Sequence, residues 1–137
     1  MEYLELEDLI GKTIVKVAIT IDQKYIFLTT SENEQYDLEA QVDCCNSVWF
    51  EHLTGVDNLI DSTILDFEEK EWEEVEDRIG GDECEEKGFY TFKTTKGYFD
   101  IELRNNHNGY YGGSIGVTKG GSNEEYISSE IIELIGD

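Results

Sequence analysis

A chain of 137 residues with 32 acidic against 10 basic side chains has a formal net charge of −22. It lacks the Lys/Arg clusters that neutralise phosphates, which argues against direct binding of nucleic acid or an anionic membrane and makes basic proteins its natural partners. Its length suits a single domain, and two Trp, eight Tyr and six Phe supply a core that a disordered acidic chain would lack.

Met1 leads straight into Glu2-Tyr3-Leu4-Glu5 with no basic segment followed by an apolar run, so no secretory signal is visible. No stretch approaches the roughly 18 apolar residues of a membrane helix. Three cysteines, two of them adjacent, do not make a disulfide framework. The expectation is a soluble, reduced, intracellular protein. Leu6, Leu9 and Ile10 stand at helical spacing before Gly11, which predicts a short helix over 5–10. The β-branched run 12–20 predicts a strand in which Val15, Val17 and Ile19 alternate. Residues 24–30 and 35–42 read as two more strands, joined by the polar turn Ser31–Glu34. A second short helix is expected near 56–60. Strands follow at 62–69, 89–95 and 98–104, the last two joined by Lys96-Gly97, and a third helix is expected over 125–135.

The second half echoes the first. Leu9-Ile10-Gly11-Lys12-Thr13-Ile14 returns as Leu59-Ile60-Asp61-Ser62-Thr63-Ile64, and Thr29-Thr30 with Tyr36-Asp37-Leu38-Glu39 returns as Thr94-Thr95 with Phe99-Asp100-Ile101-Glu102. The order is the same in both, so the chain reads as one domain of two repeated units, about 4–55 and 56–137. The predicted fold class is α+β, mainly an antiparallel sheet with short helices. Aligning Tyr36 with Phe99 sets Asp43-Cys44-Cys45-Asn46 opposite Asn106-His107-Asn108-Gly109.

The units differ by an acidic insert over 66–88. From Asp66 to Glu86 there are twelve acids and two bases, a charge of −10 over 21 residues. Trp72, Val75 and Ile79 are spaced as on one helical face, which predicts a helix pinned by Trp72 and ended by Gly80-Gly81. A charge run is usually a solvated face, and no loop here spaces its acids as a calcium site does. The sharper reading is a partner-binding surface of Glu68, Glu69, Glu71, Glu73, Glu74, Glu76, Asp77, Asp82, Glu83, Glu85 and Glu86, with Trp72 as its hydrophobic anchor. Such a surface would fill a groove in which a basic protein holds DNA or RNA.

Adjacent Cys44 and Cys45 point to opposite faces of an extended chain, so buried packing is favoured over a metal site or a nucleophile. Asn108-Gly109 between extended segments predicts a hairpin turn. The alternative is a ligand pocket of Asp43, Trp49, His107, Asn108, Tyr110 and Tyr111, with aromatic rings stacking on a base. No metal, no cofactor and no catalytic set of base, nucleophile and orienting residue can be assembled.

Asp43-Cys44-Cys45, Val48, Gly55, Leu59-Ile60, Thr91-Phe92, Lys96-Gly97 and Asn108-Gly109-Tyr110-Tyr111 together resemble a small domain family of phage and bacterial proteins without an assigned biochemical function. The resemblance spans about 9–117. The chain departs from the pattern at Asn46, where an acid is usual, and at Thr63, where proline is usual. What the resemblance implies is an accessory protein acting in the cytoplasm of an infected bacterium. Combined with the charge, the leading expectation is a non-enzymatic, anti-CRISPR-like inhibitor of a host nucleic-acid-binding defence protein. A sponge for a host signalling nucleotide is the alternative, and a virion or scaffold component is a third.

Overall fold

In a computed structural model, residues 2–42, 46–75, 84–107, 113–120 and 131–135 are described. They contain eleven strands: β1 (Glu2–Leu4), β2 (Thr13–Thr20), β3 (Tyr25–Thr30), β4 (Gln35–Gln41), β5 (Ser47–Thr54), β6 (Ser62–Glu69), β7 (Glu73–Glu74), β8 (Cys84–Thr94), β9 (Tyr98–His107), β10 (Ser114–Lys119) and β11 (Ile131–Leu134). Nine of them run side by side in the order β1-β10-β4-β3-β2-β6-β8-β9-β5, while β11 pairs with β2 and β7 with β8. Every pairing is antiparallel.

The repeat seen in the sequence is a pseudo-twofold in the sheet. Between the central strands, Thr13 lies opposite Thr63 and Ile14 opposite Ser62. The Thr13 and Thr63 hydroxyls meet each other at 2.7 Å on this local axis. Reciprocal backbone bonds flank them: the Gly11 amide donates to Ile64 O at 2.7 Å and the Asp61 amide to Ile14 O at 2.6 Å. Gly11 and Asp61 both have positive φ, +92° and +61°. Each ends a single helical turn, a 3-10 turn at Leu6–Leu9 and α1 at Val56–Leu59. Both central strands bulge at the same place, between Ile14 and Lys16 in β2 and between Ile64 and Asp66 in β6. A bulge resets the alternation of faces. Val15 therefore stands exposed while Val17 is buried and Ile19 half-buried, which breaks the expected Val15-Val17-Ile19 alternation.

The fourth strand of each unit crosses to the other unit. β5 follows β4 in sequence but pairs with β9, and β10 follows β9 but pairs with β4. The β9–β10 connection is thus a crossover and not the expected hairpin; Asn108-Gly109 itself lies outside the described residues. One contiguous core joins both units, with equivalent buried pairs Leu9 and Leu59, Ile14 and Ile64, Leu28 and Phe92, Tyr36 and Phe99, and Leu38 and Ile101. At about 1.5–3 kcal/mol for each large apolar side chain fully buried, this shared core is what holds the halves as one sheet.

The expectation of an α+β fold with short helices is overturned: the fold is mostly antiparallel β-sheet, with two isolated helical turns among the described residues. The segment expected to be helical over 125–135 contains a strand, β11. The physical reason is a vacant ladder beside β2. Pairing Ile131–Leu134 with Val17–Thr20 satisfies backbone groups and packs Leu134 against the core, which outweighs the weak preference of Ile-Ile-Glu-Leu for a helix. Residues 125–130 lie outside the described part.

Candidate functional site

The acidic insert is an extension of the β6–β8 hairpin. β8 pairs with β6 over Tyr90–Thr94 and then, further along the same edge, with β7 through Glu86 and Lys87. The Val75 amide continues the ladder to Glu85 O at 2.9 Å. The chain from Trp72 to Val75 is therefore extended, and the helix expected from Trp72 and Val75 does not form there; Ile79 lies outside the described residues. Pairing with the long strand β8 satisfies the backbone without the like-charge crowding that a helix over 72–79, with four acids in eight residues, would carry.

The extended ribbon sorts the acids into three groups. Glu68, Glu69, Glu71, Glu73 and Glu74 are exposed. Over 68–74 these five acids face one base, Lys70, for a net charge of −4. Glu85 and Glu86 are half-buried and engaged: Arg104 Nη1 donates to Glu85 at 2.7 Å, and Asn105 Nδ2 donates to Glu86 at 3.4 Å. Glu76, Asp77, Asp82 and Glu83 lie outside the described residues. Glu69 also reaches Tyr90, whose hydroxyl burial, and then the negative charge of Glu69, hold well above the usual tyrosine range.

Trp72 is built into the ribbon. It is half-buried and packs against the core, and its ring covers Gly88 so closely that a Cβ there would come within 2.5 Å of it. The far edge of the ring also lies beside Gly113, where a Cβ would come within 3.3 Å of it. Gly88 in the middle of β8 is thus explained by the tryptophan lying across it.

Of the expected pocket, the described residues show only the strand ends that flank it. β4 ends at Gln41, opposite Ser114 at the start of β10, and β9 carries Asn106 opposite Ser47 at the start of β5. The two crossovers therefore run between the same pair of strand ends. Asn46 Nδ2 donates to Asn105 Oδ1 at 3.0 Å across them, and Asn105 is fully buried. Asp43, Asn108, Tyr110 and Tyr111 lie outside the described residues, as does the side chain of His107. Trp49 is described: it is half-buried opposite Arg104, and its indole N–H donates to Glu51 at 2.7 Å. Asn105 is not among the sequence-predicted residues, although the alternation Phe99-Ile101-Leu103 runs on to it; a polar residue at the next inward position is the signal that could have found it.

The cations near these elements are engaged by protein groups. Arg104 is held by Glu102 at 2.6 Å and Glu85 at 2.7 Å. Against a lowering by burial, these carboxylates raise its already high pKa. Lys119 meets Glu34 at 2.6 Å, and Lys96 Nζ donates to Ile60 O at 2.8 Å. Among the described residues, no three His, Cys, Asp or Glu side chains gather as a metal site, and no helix is long and apolar enough to cross a membrane. An apolar cavity of about 250 Å³ lies between β11 and β5, lined by Ile19, Phe50, Leu53, Val56 and Leu134 among others.

One family model, described as a domain of unknown function (DUF7448), matches residues 7–117. No curated protein and no solved structure matches the chain.

Proposed function

Starting from a chain that belongs to the DUF7448 family, we propose that it is a non-enzymatic, anti-CRISPR-like inhibitor, of phage origin, of a host nucleic-acid-binding defence protein in the bacterial cytoplasm. The observation that carries this reading is the ribbon 68–74, where five exposed acids stand on the end of β6, on β7 and on the link between them, beside the half-buried Trp72. An antiparallel strand advances about 3.4 Å per residue, and phosphates along one strand of B-DNA advance by about the same distance. Successive side chains on a strand face opposite ways, so these acids present closely spaced negative charge on both faces of the ribbon, which a basic groove can meet. Counterion release and long-range steering would favour the encounter.

The second reading, a nucleotide sponge at the crossover end, is disfavoured by the engagement of Arg104, Lys96 and Lys119, the cations a phosphate would need. The immobilised protein is expected to retain a basic nucleic-acid-binding protein from bacterial lysate at about 50 mM salt and to release it by about 200 mM. Reversing Glu68, Glu71, Glu73 and Glu74 to Lys should abolish retention while the circular dichroism stays that of a β-sheet. Equal retention by the reversed variant contradicts the reading, and a nucleotide released on denaturing the purified protein favours the sponge.

A further inference from the structure

The pseudo-twofold pairs two strand edges that differ in one respect. β2 and β6 share the same bulge, and they match β3 and β8 in the same register: Val17 opposite Leu28 corresponds to Phe67 opposite Phe92, and Ile19 opposite Ile26 to Glu69 opposite Tyr90. The far edge of β2 is filled by β11, with Leu134 opposite Val17, Glu133 opposite Ala18 and Ile132 opposite Ile19. On β6 the corresponding edge beyond Ile64 has no strand among the described residues. The Lys70 amide donates toward β8, to Phe89 O at 2.9 Å. Amide direction alternates along a strand, so the N–H groups of Phe67 and Glu69 point away from β8, into the vacant position. There the Phe67 amide is capped by its neighbour's carboxylate, Asp66 Oδ1 at 2.8 Å. Beyond this single cap the edge is open among the described residues, and an open strand edge is a template for another strand.

We propose that β6 accepts an extended, basic segment of a partner protein as an added antiparallel strand. The proposal rests on reading the acidic ribbon as a partner-binding surface, and it names how the partner is held. Charge identifies the occupant. In the filled site Lys16 reaches Glu133 of β11 at 3.1 Å. The residue equivalent to Lys16 is Asp66, and those equivalent to Ala18 and Ile19 are Glu68 and Glu69. A second copy of β11 would bring Glu133 against Asp66 and Glu68, so self-association through this edge is opposed by like charges. The complementary strand carries Lys or Arg opposite Glu69 and Glu68, followed by an apolar residue opposite the half-buried Phe67. The vacant ladder supplies affinity through main-chain bonds, and this basic-basic-apolar order supplies specificity.

The test uses the full chain labelled with nitrogen-15 and two synthetic peptides. One copies β11 (Glu-Ile-Ile-Glu-Leu-Ile-Gly) and the other is its basic counterpart (Lys-Ile-Lys-Lys-Leu-Ile-Gly). The basic peptide is expected to shift the Phe67 and Glu69 amides most, with at least about tenfold higher affinity than the β11 copy, a gap of the size that like-charge juxtaposition gives. Backbone N-methylation at alternate residues on its β6-facing side should remove that binding. Glu69→Pro, which deletes an outward N–H and no bond to β8, should remove it as well, whereas Glu69→Gln keeps the amide and most of the affinity. Undiminished binding of the methylated peptide, or shifts centred elsewhere on the ribbon, overturns strand addition and leaves the charge-based reading standing. Failure of the basic peptide in both forms to bind at low salt overturns both.

Discussion

Tyr90 shows how one residue couples the core to the acidic surface. Its ring is buried on β8, stacked beside Phe67 with centroids 6.2 Å apart, while its hydroxyl meets Glu69 at the rim. Burial first, and the neighbouring carboxylate second, raise its pKa above the ordinary value of about 10. A folded-state pKa raised in this way contributes stability that is complete below the unfolded value and is lost as pH climbs above it toward the folded value. Alkaline unfolding is therefore expected to set in above about pH 10. Tyr90→Phe should move its midpoint upward while costing about 1 kcal/mol near neutrality for the lost hydrogen bond. A denaturant titration across that pH range checks both signs, and an unchanged alkaline limb in Tyr90→Phe would remove Tyr90 from the account.

At the scale of elements, the two central strands are a natural internal comparison. Among the described residues, β2 is covered on both sides and the outer edge of β6 is not, so hydrogen exchange should separate them. The Val17 and Ile19 amides are expected to be protected, and that of Glu69 to exchange quickly, though all three lie on equivalent strands. Protection at Glu69 equal to that at Ile19 would mean that another part of the chain covers this edge. Much of the element order was legible in the sequence. The echo of Leu9–Ile14 in Leu59–Ile64 marked a real symmetry, down to the positive φ shared by Gly11 and Asp61. What periodicity could not show was partner choice. Ile131–Leu134 looks helical until the empty side of β2 is known, and Trp72–Val75 looks helical until β8 is seen to extend beside it. Nor does an Asn-Gly pair reveal whether its flanking strands meet each other or, as with β9 and β10, cross to separate neighbours. These are long-range pairings, and local pattern carries no record of them.

For the whole molecule, the exchange of fourth strands and the shared core bind the two repeats into one cooperative body. Calorimetry should give a single transition whose calorimetric and van't Hoff enthalpies agree; two transitions would show the repeats to be independent. Because a charge of −22 repels itself in the compact state, the melting temperature should rise with added salt. Binding to a basic partner should weaken over the same salt range, so stability and function respond to salt in opposite directions.

The most direct measurement is interference in living cells. Bacteria carrying one of a panel of RNA-guided nucleases are transformed with a targeted plasmid while they express either this protein or its Glu68→Lys, Glu71→Lys, Glu73→Lys, Glu74→Lys variant. The account predicts that the native chain restores transformation for at least one nuclease and that the folded variant does not. Equal protection by the charge-reversed variant, or protection by neither chain across the panel, would contradict it.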